Sequence, residues 1–247
     1  MPTRIPFYTT KYLFARVENW LTDLMRMQPN IQTALDAPAG AGALTQVLHE
    51  DLKLSVEAIE IDPSKWQYPK VKVQVADLGR PLPFQNKSFD LIVCLEGLKH
   101  FTDVSTAIAE FNRCLKDDGF LLLTIPNDLC MQSRIRYLID GWVDTDWIKP
   151  MDPQSHDEKD HVHLNSLVSL PYLYYFFQKN KLQIVRTGTC HLRFWSVLLS
   201  IAFYPLIFLA TLRKLSWRHP LCREMLSLTW LAGRRNLILL RKGLVDA

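Results

Sequence analysis

Three carboxylates stand where apolar runs end: Asp36 after Thr33-Ala34-Leu35, Glu60 at the close of Leu54–Glu60, and Asp77 after Val71–Ala76. Between the first two lies a turn of small residues, Pro38-Ala39-Gly40-Ala41-Gly42, followed by Leu44, Val47 and Leu48 at helical spacing. Such a turn lets a ligand come close to the backbone and aims unpaired N–H groups at it. An acid at the end of the next strand can accept from both hydroxyls of a ribose, and one at the end of a third strand from an exocyclic amine such as that of adenine. The chemistry indicated is the holding of a nucleoside. A G-x-G-x-x-G dinucleotide fingerprint fits poorly, because Thr45 occupies the position of the third glycine. Taken singly, each feature also has a plain reading, as a packing turn or a solvated strand-end carboxylate.

The elements that must position these residues alternate strand and helix. Tyr12–Met27 places Leu13, Val17, Trp20, Leu21, Leu24 and Met25 on one helical face, and Pro29-Asn30 ends it. Strands are expected at Thr33–Asp36, from Leu54 to Asp62, where Pro63 stops the run, and from Val71 to Asp77-Leu78, before a turn rich in proline. The run Leu91–Leu95 reads as a strand buried on both faces of a parallel sheet. A helix over Asp103–Lys116, with Val104, Ile108, Phe111 and Leu115 inward, leads through Lys116-Asp117-Asp118-Gly119 into another buried strand, Phe120–Asn127. A helix over Asn165–Lys179 and a strand over Lys181–Thr189 come later. Gly141–Asp160 has little periodicity. Its His156, His161 and His163 with Asp157 and Asp160 could be drawn as a metal cluster, but no H-x-x-x-H pair is among them, and a solvated loop is the expectation, with no metal.

The whole chain of 247 residues is long enough for one sizeable α/β core with an elaboration. Its start has no continuous apolar run behind the basic residues, which does not suit a secretory signal. Cys94, Cys114, Cys130, Cys190 and Cys222 include no C-x-x-C pair, which suits a reducing, cytoplasmic setting. The net charge of +4 is uneven: from Arg193 to Lys242 there are nine Lys/Arg against one acid, Glu224, while the remainder is acidic on balance. An anionic partner surface, membrane or nucleic acid, is implied for that end.

Further passages make the pattern specific. Asp36-x-Pro-x-Gly-x-Gly resembles motif I of the class I S-adenosylmethionine (SAM) methyltransferases, with Pro38 where a glycine is more usual. The passage from Asp77 through Leu82-Pro83-Phe84 to Ser88-Phe89-Asp90 looks like the family's D-x-x-x-L-P-F-x-x-x-S-F-D, and Glu110–Gly119 like its E-x-x-R-x-L-K-P-G-G turn. Ala34–Asn127 thus resembles the subgroup that includes the quinone-biosynthesis (type 11) enzymes. Glu60 in place of Asp and Asp117-Asp118 in place of Pro-Gly remove no group that cofactor binding requires. The resemblance implies a doubly wound, seven-stranded α/β sheet with a hydrophobic helical insertion before the last strand. The expected layout is a single domain over 1–247: a helix at 10–28, a SAM-binding core at 32–127, a substrate-cap loop at 141–164, the insertion at 192–233 and the last strand at 235–243. It implies SAM as cofactor, contacted by Asp36, Pro38, Ala39, Gly40, Gly42, Glu60, Ile61, Asp77, Leu78 and Leu95. The acceptor is expected near Leu95, Glu96, Pro126 and Asn127, and His100 and His161 are the candidates for a general base, each with a structural reading beside it.

Phe194–Leu212 is nineteen residues without a charge, bracketed by Arg193 and Arg213-Lys214, and suits a membrane span by length and flanks. Asn236–Gly243, however, resembles the seventh strand, which inserts antiparallel beside the sixth, so both ends of the segment must lie on one side of any bilayer. The remaining readings are an interfacial or re-entrant hairpin bent near Pro205, with an amphipathic second limb at Pro220–Gly233, or a helix buried in a dimer. Trp195, Trp217 and Trp230 with the basic flanks favour an anionic bilayer surface. Nucleic acid fits less well, because the basic residues flank an apolar stretch instead of alternating with aromatic platforms. The functional expectation is methyl transfer to a small, lipophilic or lipid-linked acceptor, with the protein peripheral or monotopic on the inner face of a membrane. A protein of this fold that binds without catalysing, or an enzyme of soluble acceptors that dimerises through the apolar segment, are the alternatives.

Overall fold

The computed structural model describes residues 4–6, 10–100, 103–140, 168–214 and 218–243. Its frame is one seven-stranded sheet in the order β3-β2-β1-β4-β5-β7-β6. The strands are β1 (Thr33–Asp36), β2 (Ser55–Glu60), β3 (Val73–Val75), β4 (Phe89–Leu95), β5 (Leu115–Pro126), β6 (Leu182–Thr189) and β7 (Arg235–Lys242). β1 to β5 pair in parallel, and β7 runs antiparallel between β5 and β6. This is the expected doubly wound sheet, and the last strand lies beside the sixth as anticipated.

Helices cover both faces, which explains the apolar runs Leu91–Leu95 in β4, Phe120–Leu123 in β5 and Leu237–Leu240 in β7. On one face α1 (Lys11–Met27) and α2 (Ala43–Gln46, prolonged by a π-helical turn Val47–Asp51) bury Leu13, Val17, Leu21 and Leu48 against Val93, Leu122 and Leu239. On the other, α3 (Val104–Cys114) and α5 (Leu170–Lys179) pack Ile108, Phe111 and Phe177 against Ile92, Leu121 and Ile238. Asp103 caps α3 by accepting from the N–H groups of Ser105 and Thr106 at 3.0 and 3.1 Å. α4 (Met131–Asp140), α6 (Phe194–Lys214), α7 (Pro220–Leu226) and α8 (Leu228–Ala232) complete the described elements.

The motif passages turn out to be joints of this frame. Glu110 accepts from the Leu82 N–H at 2.7 Å, and Arg113 donates to the carbonyls of Phe84 at 2.7 Å and Leu82 at 3.0 Å, so the E-x-x-R pair clasps the Leu-Pro-Phe loop. Asp90 accepts from the N–H and hydroxyl of Thr33 at 2.9 and 2.8 Å and fixes the entry of β1.

Four local expectations are corrected. β3 stops at Val75, short of the expected Asp77-Leu78, because Asp77 turns the chain by accepting from the Gly79 N–H. Lys116–Gly119 is no free turn but an irregularity within β5: Phe89 pairs with Leu115, and Leu91 already with Phe120. The amphipathic limb 220–233 is two short helices broken at Ser227. α6 runs helically through Pro205 without the expected interruption.

α6 is also turned inside out relative to a soluble helix. Ser196 and Ser200 are 0% and 1% exposed, whereas Phe194, Trp195, Ile201, Leu206 and Leu209 are 60–69% exposed. The Ser200 hydroxyl donates to the Ser196 carbonyl at 2.6 Å, and the Gln132 N–H donates to the Ser196 hydroxyl at 3.3 Å, so polar groups face the body. Burial of Ser196 near one end and Thr211 near the other lays the helix along the protein. By length and composition it could cross a bilayer, yet β6 before it and β7 after it are neighbours in one sheet.

Candidate functional site

At the carboxyl ends of the parallel strands lies a cleft of about 480 Å³, between the turn after β1, the residue ending β2, the segment after β4 and the start of β7. Of the residues expected to hold a cofactor, Asp36, Pro38, Ala39, Gly40, Glu60 and Leu95 line it, and so does His100. Thr10 and Phe14 of the N-terminal segment close one wall.

The turn is built from β1 outward. Asp36 is 1% exposed and accepts from the Thr45 hydroxyl at 2.7 Å, tying the strand end to the following helix. Burial pushes its carboxyl from the ordinary 3.8 up to about 7, against the opposing Thr45 hydrogen bonds and with a small addition from the Glu60 charge. Gly40 takes a left-handed φ of 56°. Its N–H donates to Glu60 Oε2 at 2.7 Å, and Glu60 Oε1 accepts from the Ile61 N–H at 2.9 Å. Oε1 also accepts from the Asp62 N–H at 3.4 Å, whereas Oε2 keeps a lone pair with which Glu60 can still accept from a ligand hydroxyl.

The remaining expected contacts lie outside the cleft lining. Gly42, at φ 92°, serves packing: a Cβ there would meet Tyr68 Cβ at 2.9 Å and the Trp66 ring at 3.0 Å. Ile61 is exposed beside Glu60, and Leu78 is buried in the core. Asp77 accepts from the Gly79 N–H at 2.8 Å and pairs with Arg80 at 3.5 Å. Asn127 spends its amide on the carbonyls of Trp230 and Gly233 at 3.0 and 2.8 Å, which makes it a clamp on α8. His161 and the 141–164 segment lie outside the described residues. Among the described residues no group of three or more His, Cys, Asp or Glu side chains could hold a metal.

Three charges enter the cleft that residue-type reasoning did not assign to it together. Glu96, at φ 55°, is held by its N–H on the Thr124 hydroxyl at 2.8 Å. Its Oε2 accepts from Lys99 Nζ at 3.2 Å and from Arg235 Nε at 3.1 Å. Lys99 and Arg235 are both buried. The only hint was a basic residue beside each sheet end, since β7 brings Arg235 across β5 to a residue of β4 by long-range pairing alone.

The fit of these residues to SAM is good on the structure's own terms. Small residues leave the turn open, Glu60 presents a carboxylate to hydroxyls, and a second, partly ionised acid, Asp36, suits a cationic ligand. The methyltransferase-domain family matches residues 35–123. An uncharacterized methyltransferase of Bacillus subtilis (strain 168) is 33% identical over 115 residues, 42% of this chain and 46% of that protein. The chain spans less than half the length of the curated relatives it matches first. Among solved structures, a SAM-dependent methyltransferase from Archaeoglobus fulgidus has a TM-score of 0.54 at 13% identity, covering 95% of this chain and 100% of that one. A geranyl diphosphate methyltransferase solved with GPP and sinefungin has a TM-score of 0.55 at 16% identity, covering 92% and 78%. Residues 35–123 thus match the methyltransferase-domain family, and the sheet that runs through the chain has the fold of the class I SAM-dependent methyltransferases.

Proposed function

We propose that the protein transfers a methyl group from SAM to a small acceptor that is lipophilic or lipid-linked, and that it does so at a membrane surface on the cytoplasmic side. The carrying observation for the chemistry is the Glu60–Gly40 contact at 2.7 Å, which places a carboxylate oxygen with a spare lone pair at the mouth of a small-residue turn. SAM supplies an electrophilic methyl group on a sulfonium. Gly40 and Ala39 leave room for its methionine part, Glu60 holds the ribose, and Asp36 offers negative charge beneath. Transfer from a sulfonium is an in-line displacement, so alignment and exclusion of water can supply most of the acceleration. A base is required only where the acceptor must lose a proton, and His100, which lines the cleft, is the group for it. Titration calorimetry with the purified chain tests this step. Micromolar SAM binding weakened tenfold or more by Glu60→Ala is expected; no binding, or binding indifferent to that change, refutes the assignment.

Support for the membrane comes from α6. Its outer face carries large apolar side chains along a helix about 31 Å long, while hydroxyls occupy the inner face. A soluble surface does not bear such a stripe without a partner. Arg193 at one end and Arg213-Lys214 at the other supply the cations that an anionic bilayer attracts, at roughly 1 kcal/mol each. Apolar burial then dominates, and salt weakens attachment without abolishing it. Flotation with phosphatidylserine-containing vesicles decides. Protein that remains unbound, or binds equally after Ile201, Phe203, Ile207 and Phe208 are changed to Ser, refutes membrane docking. Concentration-dependent dimerisation lost in the same variant would assign the face to a second copy.

A further inference from the structure

The cleft is electrically divided. Asp36 and Glu60 stand at the ends of β1 and β2, and Lys99 and Arg235 at the ends of β4 and β7. At the basic end Glu96 serves two cations through one oxygen, with Lys99 at 3.2 Å and Arg235 at 3.1 Å. Lys99 is 6% and Arg235 7% exposed, so both cations are held out of water. Burying a cation is strongly unfavourable unless its hydrogen bonds are completed. Something is missing here: Arg235 Nη1 is buried without a hydrogen-bond partner, and so are Glu96 Oε1 and Thr10 Oγ1, all on residues that line the cleft. The surroundings add to the positive field, for burial and the charges of Arg234, Arg235 and Arg193 together hold the His191 imidazole below its usual value. The two acids of the opposite end are already engaged by Thr45 and by the Gly40 and Ile61 N–H groups.

We infer that Arg235 and Lys99 form a subsite for an oxyanion carried by the methyl acceptor, a carboxylate or a phosphate, with Arg235 Nη1 as the donor that reads it. This rests on the methyltransferase reading and deepens it, since SAM occupies the acidic end of the cleft and the acceptor the basic end. An arginine suits this role because its planar fork donates to such a group with one edge while the other stays on Glu96. The orphaned Glu96 Oε1 and Thr10 hydroxyl then call for a hydroxyl or amine elsewhere on the same ligand. The acceptor so described is an anionic amphiphile or acid, and the oxyanion lies on the sheet end from which α6 departs and to which β7 returns.

The competing oxyanion is the carboxylate of SAM itself, and the test separates the two. Inorganic phosphate and pyrophosphate are titrated calorimetrically into the free protein and into protein saturated with S-adenosylhomocysteine, for the parent chain and for Arg235→Gln, Arg235→Lys and Lys99→Gln. Circular dichroism reports folding of each. Binding of an anion to the loaded parent protein is expected, weakened about tenfold or more in Arg235→Gln and Lys99→Gln, and only about threefold to fivefold in Arg235→Lys. S-adenosylhomocysteine affinity should change less than threefold throughout. Absence of anion binding in both forms overturns the inference, as does binding indifferent to the Gln variants. A tenfold loss of S-adenosylhomocysteine affinity with anion binding unchanged overturns it too, by giving the subsite to the cofactor. If the parent protein does not bind S-adenosylhomocysteine at all, the methyltransferase reading fails by itself, and the titration of the free protein still decides whether the anion subsite exists.

Discussion

Replacing Asp36 by Asn exposes the electrostatic design of the acidic half of the cleft. The carboxyl is buried, and its pKa rises from 3.8 to about 7. An acid whose folded value is raised binds more protons in the native chain than in the unfolded chain between those two values, so stability falls as pH rises through the window from about 4 to 7. At about 1.4 kcal/mol per unit, the penalty is about 2 kcal/mol at pH 5.5 and levels off near 4 kcal/mol by pH 8. Asn is neutral throughout and its carbonyl can still accept from the Thr45 hydroxyl, now at 2.7 Å from Asp36. Asp36→Asn should therefore stabilise the protein, with an advantage that grows by about 2 kcal/mol between pH 5.5 and pH 8. Urea unfolding of both proteins at several pH values across that range measures it. A difference that does not vary with pH, or an Asn variant less stable at pH 8, would show that the buried carboxyl is not held protonated. The same shift predicts a ligand effect. A sulfonium near Asp36 favours ionisation, so at pH 7 SAM should release about half a proton on binding, visible as a dependence of calorimetric enthalpy on the buffer, and Asp36→Asn should release none.

Three further outcomes are specific. In Gly97→Ala the new Cβ would stand 2.4 Å from Pro38 Cδ and 2.8 Å from Cys94 Sγ; a loss of about 1–3 kcal/mol and weaker S-adenosylhomocysteine binding are expected, by thermal denaturation and calorimetry, and no change in either contradicts the contact. Arg113→Ala removes the donors on the Leu82 and Phe84 carbonyls and leaves Glu110 without its guanidinium. It should cost about 3 kcal/mol, or roughly 6–12 °C in Tm for a chain of this size, without a change in the chemical step. Ser196→Leu with Ser200→Leu forces bulk between α6 and the neighbouring α4 and α8; stability should drop by about 2–4 kcal/mol, whereas the reverse exchange at an exposed position, Leu198→Ser, should be nearly neutral in detergent and reduce vesicle binding.

The sheet was legible because burial on both faces leaves a direct trace in residue type: Leu91–Leu95 and Phe120–Ile125 are apolar at nearly every position, and no helix of a soluble chain needs that. The turn was legible from Gly40 and Gly42, although the two glycines serve different ends, one open to the cleft and one beneath Trp66 and Tyr68. The end of the third strand was not legible, because alternation carries the pattern on to Asp77 and Leu78, while the ladder ends at Val75 and the chain turns toward Gly79. α4 was not read from the sequence, and its ten residues take their place by packing on α6 and α8. Arg235 could not be assigned from sequence at all: among nine basic residues near the C-terminus, only its position opposite Pro126 in the β5–β7 ladder brings it to Glu96.

That position ties the two unusual features of the chain together. α6 leaves the sheet at Arg193, whose N–H donates to the Ala232 carbonyl at 2.7 Å, and the chain comes back through Gly233 and Arg234 into β7. Asn127, at the end of β5, holds the returning turn by two short amide hydrogen bonds and a third through its own N–H to the Arg234 carbonyl at 3.1 Å. Gly233 admits no side chain there, since a Cβ would lie 2.3 Å from the Thr229 carbonyl. The exposed helix is thus anchored by both its neighbours to the strand ends that frame the cleft, and Arg235 is the residue immediately after that anchor. A force or a surface acting on α6 therefore acts within one or two residues of the buried cation pair. Tryptophan fluorescence offers a check: anionic vesicles should shift the emission of Trp195 on α6, and a coupled arrangement requires phosphate affinity at Arg235 to change with them.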